Sequence, residues 1–209
     1  MKLEFKEHSF RPVILGGDIT AYSLVRTFYE AYQVRPLIIN MSKGGPITLS
    51  GLCDCIYYEN LDQEAVLIAA LLQVGETYGK DKKLLVLGCG DWYVRLLIEH
   101  REELSRYYII PYIGEELMNR IVLKDQFYEI LEELEIPYPK TFVYDCKEKT
   151  SLTYDLEYPI IAKTANSALY HYAKFPGKKK VFTFHNKAAL QEMLDRLAES
   201  SYDYKFLIQ

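Results

Sequence analysis

Arg11-Pro12-Val13-Ile14-Leu15-Gly16-Gly17-Asp18 reads as a short apolar strand running into a glycine turn. The pattern then repeats along the chain. Residues 20–32 place Leu24, Val25, Phe28, Tyr29 and Tyr32 near helical spacing, and Leu37-Ile38-Ile39 is a second strand. Residues 53–58 form a third, weaker strand, and residues 64–74 a strong helix. Residues 84–87 are another apolar strand, closed by Gly88-Cys89-Gly90-Asp91. A helix over 92–106 and a strand over 108–113 complete the series. Short apolar strands alternating with helices define a parallel sheet covered on both faces. Right-handed crossovers place both glycine turns at the carboxyl edge of that sheet, where α/β folds bind ligands.

The pattern changes after about residue 113. Residues 124–134 predict an amphipathic helix with Phe127, Ile130, Leu131 and Leu134 on one side, stopped by Ile136-Pro137-Tyr138-Pro139. Strands over 141–144, 159–163, 180–184 and 205–208, with a helix over 187–198, then predict a small α+β unit of mostly antiparallel pairing. The fold class is therefore α/β: a Rossmann-like parallel sheet over residues 1–113, then a small α+β subdomain over 114–209. The boundary is expected near 114–120.

The chain has 209 residues, ample for burying a core without disulfides or a structural metal. Its net charge of −4 argues against a nucleic-acid or anionic-membrane coat. No apolar run approaches a membrane span, and the charged start Met1-Lys2-Leu3-Glu4-Phe5-Lys6 has no signal-peptide core. A cytoplasmic location is expected. Cys53, Cys55, Cys89 and Cys146 form no C-x-x-C, and four reduced thiols are expected. His8, His100, His171 and His185 are scattered, with no partner at a useful spacing. No G-x-S-x-G elbow marks a hydrolase.

Neither glycine turn matches a dinucleotide fingerprint. The run from Gly16 lacks the later glycines, the run from Gly88 has Tyr93 at the third, and Asn40 stands where an acidic ribose ligand belongs. The turns read either as positive-φ corners or as backbone donors facing a small anion or carboxylate. Asp18 and Asp91 are expected to cap the helices that follow. Lys163 ends an apolar strand ahead of Thr164-Ala165-Asn166-Ser167, and Lys124 opens a helix. Either lysine could reach a phosphate or simply project into solvent. Lys178-Lys179-Lys180 reads as a solvated run with some reach toward phosphate.

The order of these phrases resembles the ATP-grasp superfamily along essentially the whole chain. Leu123-Lys124-Asp125-Gln126-Phe127 is followed by Ile136-Pro137-Tyr138-Pro139-Lys140-Thr141, then Tyr158-Pro159-Ile160-Ile161-Ala162-Lys163, then Phe206-Leu207-Ile208-Gln209. The opening Arg11–Ile19 phrase, and the loop Ala165-Asn166-Ser167 with Phe175-Pro176-Gly177-Lys178-Lys179-Lys180, are similar to the carboxylate–amine ligase branch typified by D-aspartate ligases of peptidoglycan cross-bridge synthesis. The resemblance implies a pre-ATP-grasp domain over 1–113 and the small ATP-grasp lobe over 114–209.

The same resemblance implies ATP contacts from Lys124, Lys163 and Ser167, with Leu207 and Gln209 at the adenine hinge. Gly16, Gly17 and Asp18 would lie where the carboxylate or amine substrate approaches. Thr164 replaces the proline that many relatives carry there, and Tyr170, His171, Tyr172 and Phe175 make the phosphate loop aromatic rather than glycine-rich. No catalytic residue is assigned. Magnesium is expected, with ligands in a second lobe beyond Gln209, so the 209 residues are read as a front portion inactive alone. A homodimer is a possible state. A non-catalytic nucleotide-binding or scaffold module is the alternative.

Overall fold

The computed structural model describes residues 3–166, 169–170 and 173–209. They divide into two compact units, Met1–Glu115 and Glu116–Gln209. The first unit holds β1 (Phe10–Leu15), α1 (Ile19–Tyr32), β2 (Leu37–Asn40), α2 (Pro46–Leu49), β3 (Asp54–Tyr57), α3 (Glu64–Tyr78), β4 (Lys83–Gly88), α4 (Asp91–Glu99), α5 (Arg101–Leu104) and β5 (Tyr108–Ile109). All strand pairs are parallel, in the order β3-β2-β1-β4-β5. Alternate residues feed the two faces. Val13, Leu15, Leu37 and Ile39 pack with α3 and α4. Ile14 and Ile38 pack with Ala21 and Val25 of α1. An apolar side chain is useful on either face, so the strands read as continuous runs rather than alternations.

The second unit holds α7 (Lys124–Glu133), β6 (Phe142–Asp145), β7 (Ile160–Thr164), β8 (Val181–Phe184), α8 (Lys187–Ala198) and β9 (Lys205–Ile208); α6 (Glu115–Val122) leads into it. Its sheet is antiparallel, in the order β6-β9-β7-β8. Ala162, Phe206 and Ile208 join Leu190, Met193, Leu194 and Leu197 of α8 in one core. Lys163 lies directly across from Leu207, so both point to the opposite face from that core.

Several local expectations need correction. The helix expected over 92–106 breaks at His100, which leaves the helical region with φ −98° and ψ 19°. His100 is also not isolated: its Nε2 lies 3.0 Å from Glu64 Oε1 and its Nδ1 2.5 Å from Glu103 Oε1. Glu103 was visible at helical spacing, whereas Glu64 arrives only through the fold. The strand expected over 108–113 is two residues long, because its neighbour β4 offers pairs only at Leu84 and Leu85. The short helices α2 and α6 are additional to those expected from sequence.

Asp18 caps α1, its Oδ1 accepting from Thr20 N at 3.0 Å and Ala21 N at 3.1 Å. Asp91 does not cap: Gly90 holds that position, with φ +145°, and Asp91 sits in the first turn. There it favours the helix dipole without satisfying an amide. Asp18→Ala should therefore lower the unfolding free energy of the first unit by about 1 kcal/mol, while Asp91→Ala should shift it by less than about 0.5 kcal/mol. Urea denaturation of the two variants checks the difference; equal losses would show that the cap assignment is wrong.

Candidate functional site

In the second unit, the start of α7 and the ends of β7 and β9 bring most of the nucleotide residues expected from sequence together. Leu123 occupies the N-cap of α7 and supplies no capping side chain. The Lys124 amide reaches Ala165 O at 3.5 Å, placing the helix start beside the turn that follows β7. A helix N-terminus whose cap residue offers no side-chain acceptor presents amides and positive dipole to an anion.

Lys124 adds positive charge where the dipole already disfavours it. Burial pulls its ammonium below the usual lysine range, and the charges of Lys163 and Lys180 press it further down. Lys163 near the end of β7 lies opposite Val181, the residue after Lys180, and the α7 start lies beside the turn after β7, so the three lysines sit on neighbouring elements. Of the Lys178–Lys180 run, Lys180 contributes to this charge, whereas Lys178 donates to Ala173 O at 2.7 Å and lies over the Tyr170 ring.

The attachment of α7 is unusual. Its apolar stripe is only partly covered, with Phe127 38% and Leu134 63% exposed, and its buried residue is Asp125. Asp125 Oδ2 accepts from Lys205 Nζ at 2.7 Å and from Tyr204 OH at 3.4 Å. The bond to Asp125 raises the Lys205 ammonium above its ordinary range, burial opposing it. An ion pair between the buried Asp125 of α7 and the partly exposed Lys205 of β9 therefore fixes the helix one residue from Lys124.

The ring of Tyr128, one helical turn on, stacks on Tyr138 with centroids 5.0 Å apart and planes 23° apart. Lys163 Nζ donates to the Tyr128 hydroxyl at 3.3 Å. Gln209 Nε2 donates to the same hydroxyl and to Thr141 Oγ1, both at 2.7 Å. Lys163, Gln209 and the Pro137-Tyr138-Pro139-Lys140-Thr141 phrase are thus joined through one side chain. Leu207 is fully buried beside Lys163. Ser167, also expected at the phosphates, lies outside the described residues, as do His171 and Tyr172. Sequence reasoning missed Asp125, Tyr128 and Lys205. The first two share a short helical stretch with Lys124, but nothing in the spacing shows that a helix reading as amphipathic turns its carboxylate inward.

In the first unit, Gly16, Gly17 and Asp18 follow β1, next to Cys89 and Gly90, which follow β4. The space a side chain would fill at Gly17 is taken by Asn40, whose Nδ2 lies 1.9 Å from the Cβ position. Asn40 is buried and hydrogen-bonded to Ser42 O and Met41 N. Asn40 therefore leaves room only for glycine at position 17. A cavity of about 420 Å³ opens where β1 and β3 begin. In its lining, Arg11 and Arg35 share Asp54, and Lys82 pairs with Glu7. Burial pushes the thiols of Cys53 and Cys89 to about 11 and that of Cys146 to about 12, so none is a ready nucleophile. Among the described residues, no group of three or more His, Cys, Asp or Glu could hold a metal ion, and no helix is long and apolar enough to cross a membrane.

A parallel five-stranded unit followed by this antiparallel unit is the architecture of the N-terminal region of ATP-grasp enzymes. N5-carboxyaminoimidazole synthetase from Staphylococcus aureus matches with a TM-score of 0.59 at 15% identity, over 98% of this chain and 48% of that one. The biotin carboxylase domain of Hydrogenobacter thermophilus 2-oxoglutarate carboxylase, solved with MgADP, matches with a TM-score of 0.61 at 12% identity, over 97% and 44% of the two chains. At such identities the likeness establishes the fold alone. No family model matches the sequence. D-aspartate ligase of Enterococcus faecium (strain Aus0004) is 32% identical over 217 aligned residues, covering 100% of this chain. The resemblance to ATP-grasp ligases, and among them to D-aspartate ligase, thus runs the length of the chain. The chain spans 51% of that relative's length.

Two substitutions separate the scaffold from the site. Asp125→Ala should destabilise the second unit by about 2–3 kcal/mol, short of a fully enclosed pair because Lys205 can hydrate. The raised Lys205 value makes the pair's contribution complete at neutral pH and lost only as pH climbs above about 10.5. Lys124→Met should leave thermal stability equal or higher, since its charged form is disfavoured in the fold. Differential scanning calorimetry checks both; a clear loss of stability in Lys124→Met would contradict a site assembled against repulsion.

Proposed function

We propose that residues 1–209 form the nucleotide-binding front portion of an ATP-dependent carboxylate–amine ligase. The observation that carries this reading is that the start of α7, with Lys124, abuts the turn after β7, whose Lys163 pairs across the sheet with Val181, the residue after Lys180. Like charges are held together there, and a polyphosphate would relieve the repulsion. Lys124 and Lys163 would bind phosphate oxygens as point charges, and the α7 amides would add directional donors. Gln209 would start the adenine-binding segment, with Leu207 packed behind Lys163. Ser167 is proposed as a further donor in the phosphate loop.

In the reaction the reading implies, a carboxylate attacks the γ-phosphorus of ATP, and an amine then displaces phosphate from the acylphosphate to give an amide. Positioning and charge neutralisation dominate such a transfer, and both are what the anchored lysines offer. Magnesium bound to the phosphates would supply the remaining positive charge. The residues of this chain that fit the nucleotide are cationic, and no metal ligand is assigned among them. The 209 residues by themselves are therefore expected to bind nucleotide without forming an amide.

Gly16, Gly17 and Asp18 are proposed to lie near the entering substrate, for which the likeness to D-aspartate ligase makes D-aspartate the first carboxylate to try. A role in peptidoglycan cross-bridge synthesis and a cytoplasmic site of action follow from the same proposal.

Thermal-shift measurements on the 209-residue protein test it. MgATP or MgADP should raise the melting temperature by a few degrees at concentrations well above Kd. NAD should not, and Lys163→Met should abolish the nucleotide shift. Stabilisation by NAD, or an ATP effect untouched in Lys163→Met, would favour a dinucleotide-binding module over a ligase.

A further inference from the structure

Hydrogen-bond bookkeeping around Gln209 leaves one proton over. Thr141 has a single hydroxyl proton, and it donates to Pro139 O at 2.6 Å. Thr141 Oγ1 can therefore only accept from Gln209, which fixes the Gln209 amide with its nitrogen toward both hydroxyls. The second amide proton then goes to the Tyr128 hydroxyl oxygen. Lys163 Nζ, which has no acceptor capacity, donates to the same oxygen. Both lone pairs of Tyr128 are used, and its own O–H has no acceptor among the described residues. The ring is half-buried and stacked on Tyr138, so the hydroxyl has little freedom to turn elsewhere. Tyr128 also lies near enough to Lys124 to influence its charge.

From this geometry we infer that the Tyr128 hydroxyl donates a hydrogen bond to a phosphate oxygen of the bound nucleotide. The inference rests on the proposed nucleotide site and adds to it a neutral donor that the lysine pattern does not reveal. Its position explains why a tyrosine serves between two phosphate lysines. Lys163 and Gln209 polarise the hydroxyl by donating to it, making it a stronger donor in turn. The Tyr128 O–H is then held ready, so little ordering is needed when the ligand arrives. A phenylalanine would keep the ring stack yet lose the donor and leave Lys163 and Gln209 without their shared acceptor.

Isothermal titration of the 209-residue protein and its Tyr128→Phe variant with MgATP and with AMP tests the inference. Tyr128→Phe retains the ring and should melt within a few degrees of the parent. MgATP affinity should fall roughly tenfold, the loss expected of one hydrogen bond to a charged acceptor, while AMP affinity changes less than about twofold. Equal weakening of both ligands would mean that Tyr128 acts only by supporting Gln209 at the base, and unchanged MgATP binding would mean that it makes no phosphate contact; either overturns the inference. Failure of the parent protein to bind MgATP at all would instead overturn the nucleotide site on which the inference rests.

Discussion

A buried carboxylate fixes the position of α7. Asp125 is almost fully enclosed, and its bond to Lys205 ties the helix start to β9. A lone buried charge is costly, so the pair holds its geometry strongly even if it adds little net stability over an apolar contact. That rigidity matters because the neighbouring residue is Lys124, facing Lys163 and Lys180. Helix packing alone would let the lysines drift apart, since the apolar stripe of α7 is half exposed. With the helix pinned, the repulsion stays in place as a standing preference for an anion.

The same logic explains the neutral residues nearby. Tyr128, Tyr138, Thr141 and Gln209 form a stacked and hydrogen-bonded set against the charged group. They keep Lys163 from collapsing onto an acidic partner by giving its ammonium a neutral acceptor. Asp125, the carboxylate beside Lys124 in sequence, is bonded to Lys205 of β9.

Much of the fold was legible because the apolar strands of the first unit are buried on both faces, so Val13-Ile14-Leu15 and Leu37-Ile38-Ile39 carry a continuous signal. The breaks at His100 and after Ile109 were not, because they depend on which neighbours β4 and α3 supply. At the site, Lys124 and Lys163 stood out through position on their elements and through the order of phrases around them. Asp125 and Tyr128 did not, although they adjoin Lys124 in sequence. A buried aspartate in a helix's first turn looks like a surface charge until a lysine from β9, some eighty residues later, is placed against it. Asp91 shows the converse: a residue type that fits a cap need not be one when a glycine occupies the cap position.

The central claim is that Lys124 is held against like charge so that a polyphosphate can relieve it. Lysine side-chain NMR titration of Lys124, with and without MgADP, measures this directly. The account requires a pKa below the ordinary lysine value in the free protein and a rise toward or above that value when MgADP binds. An ordinary value in the free protein, or no change on adding nucleotide, would contradict it.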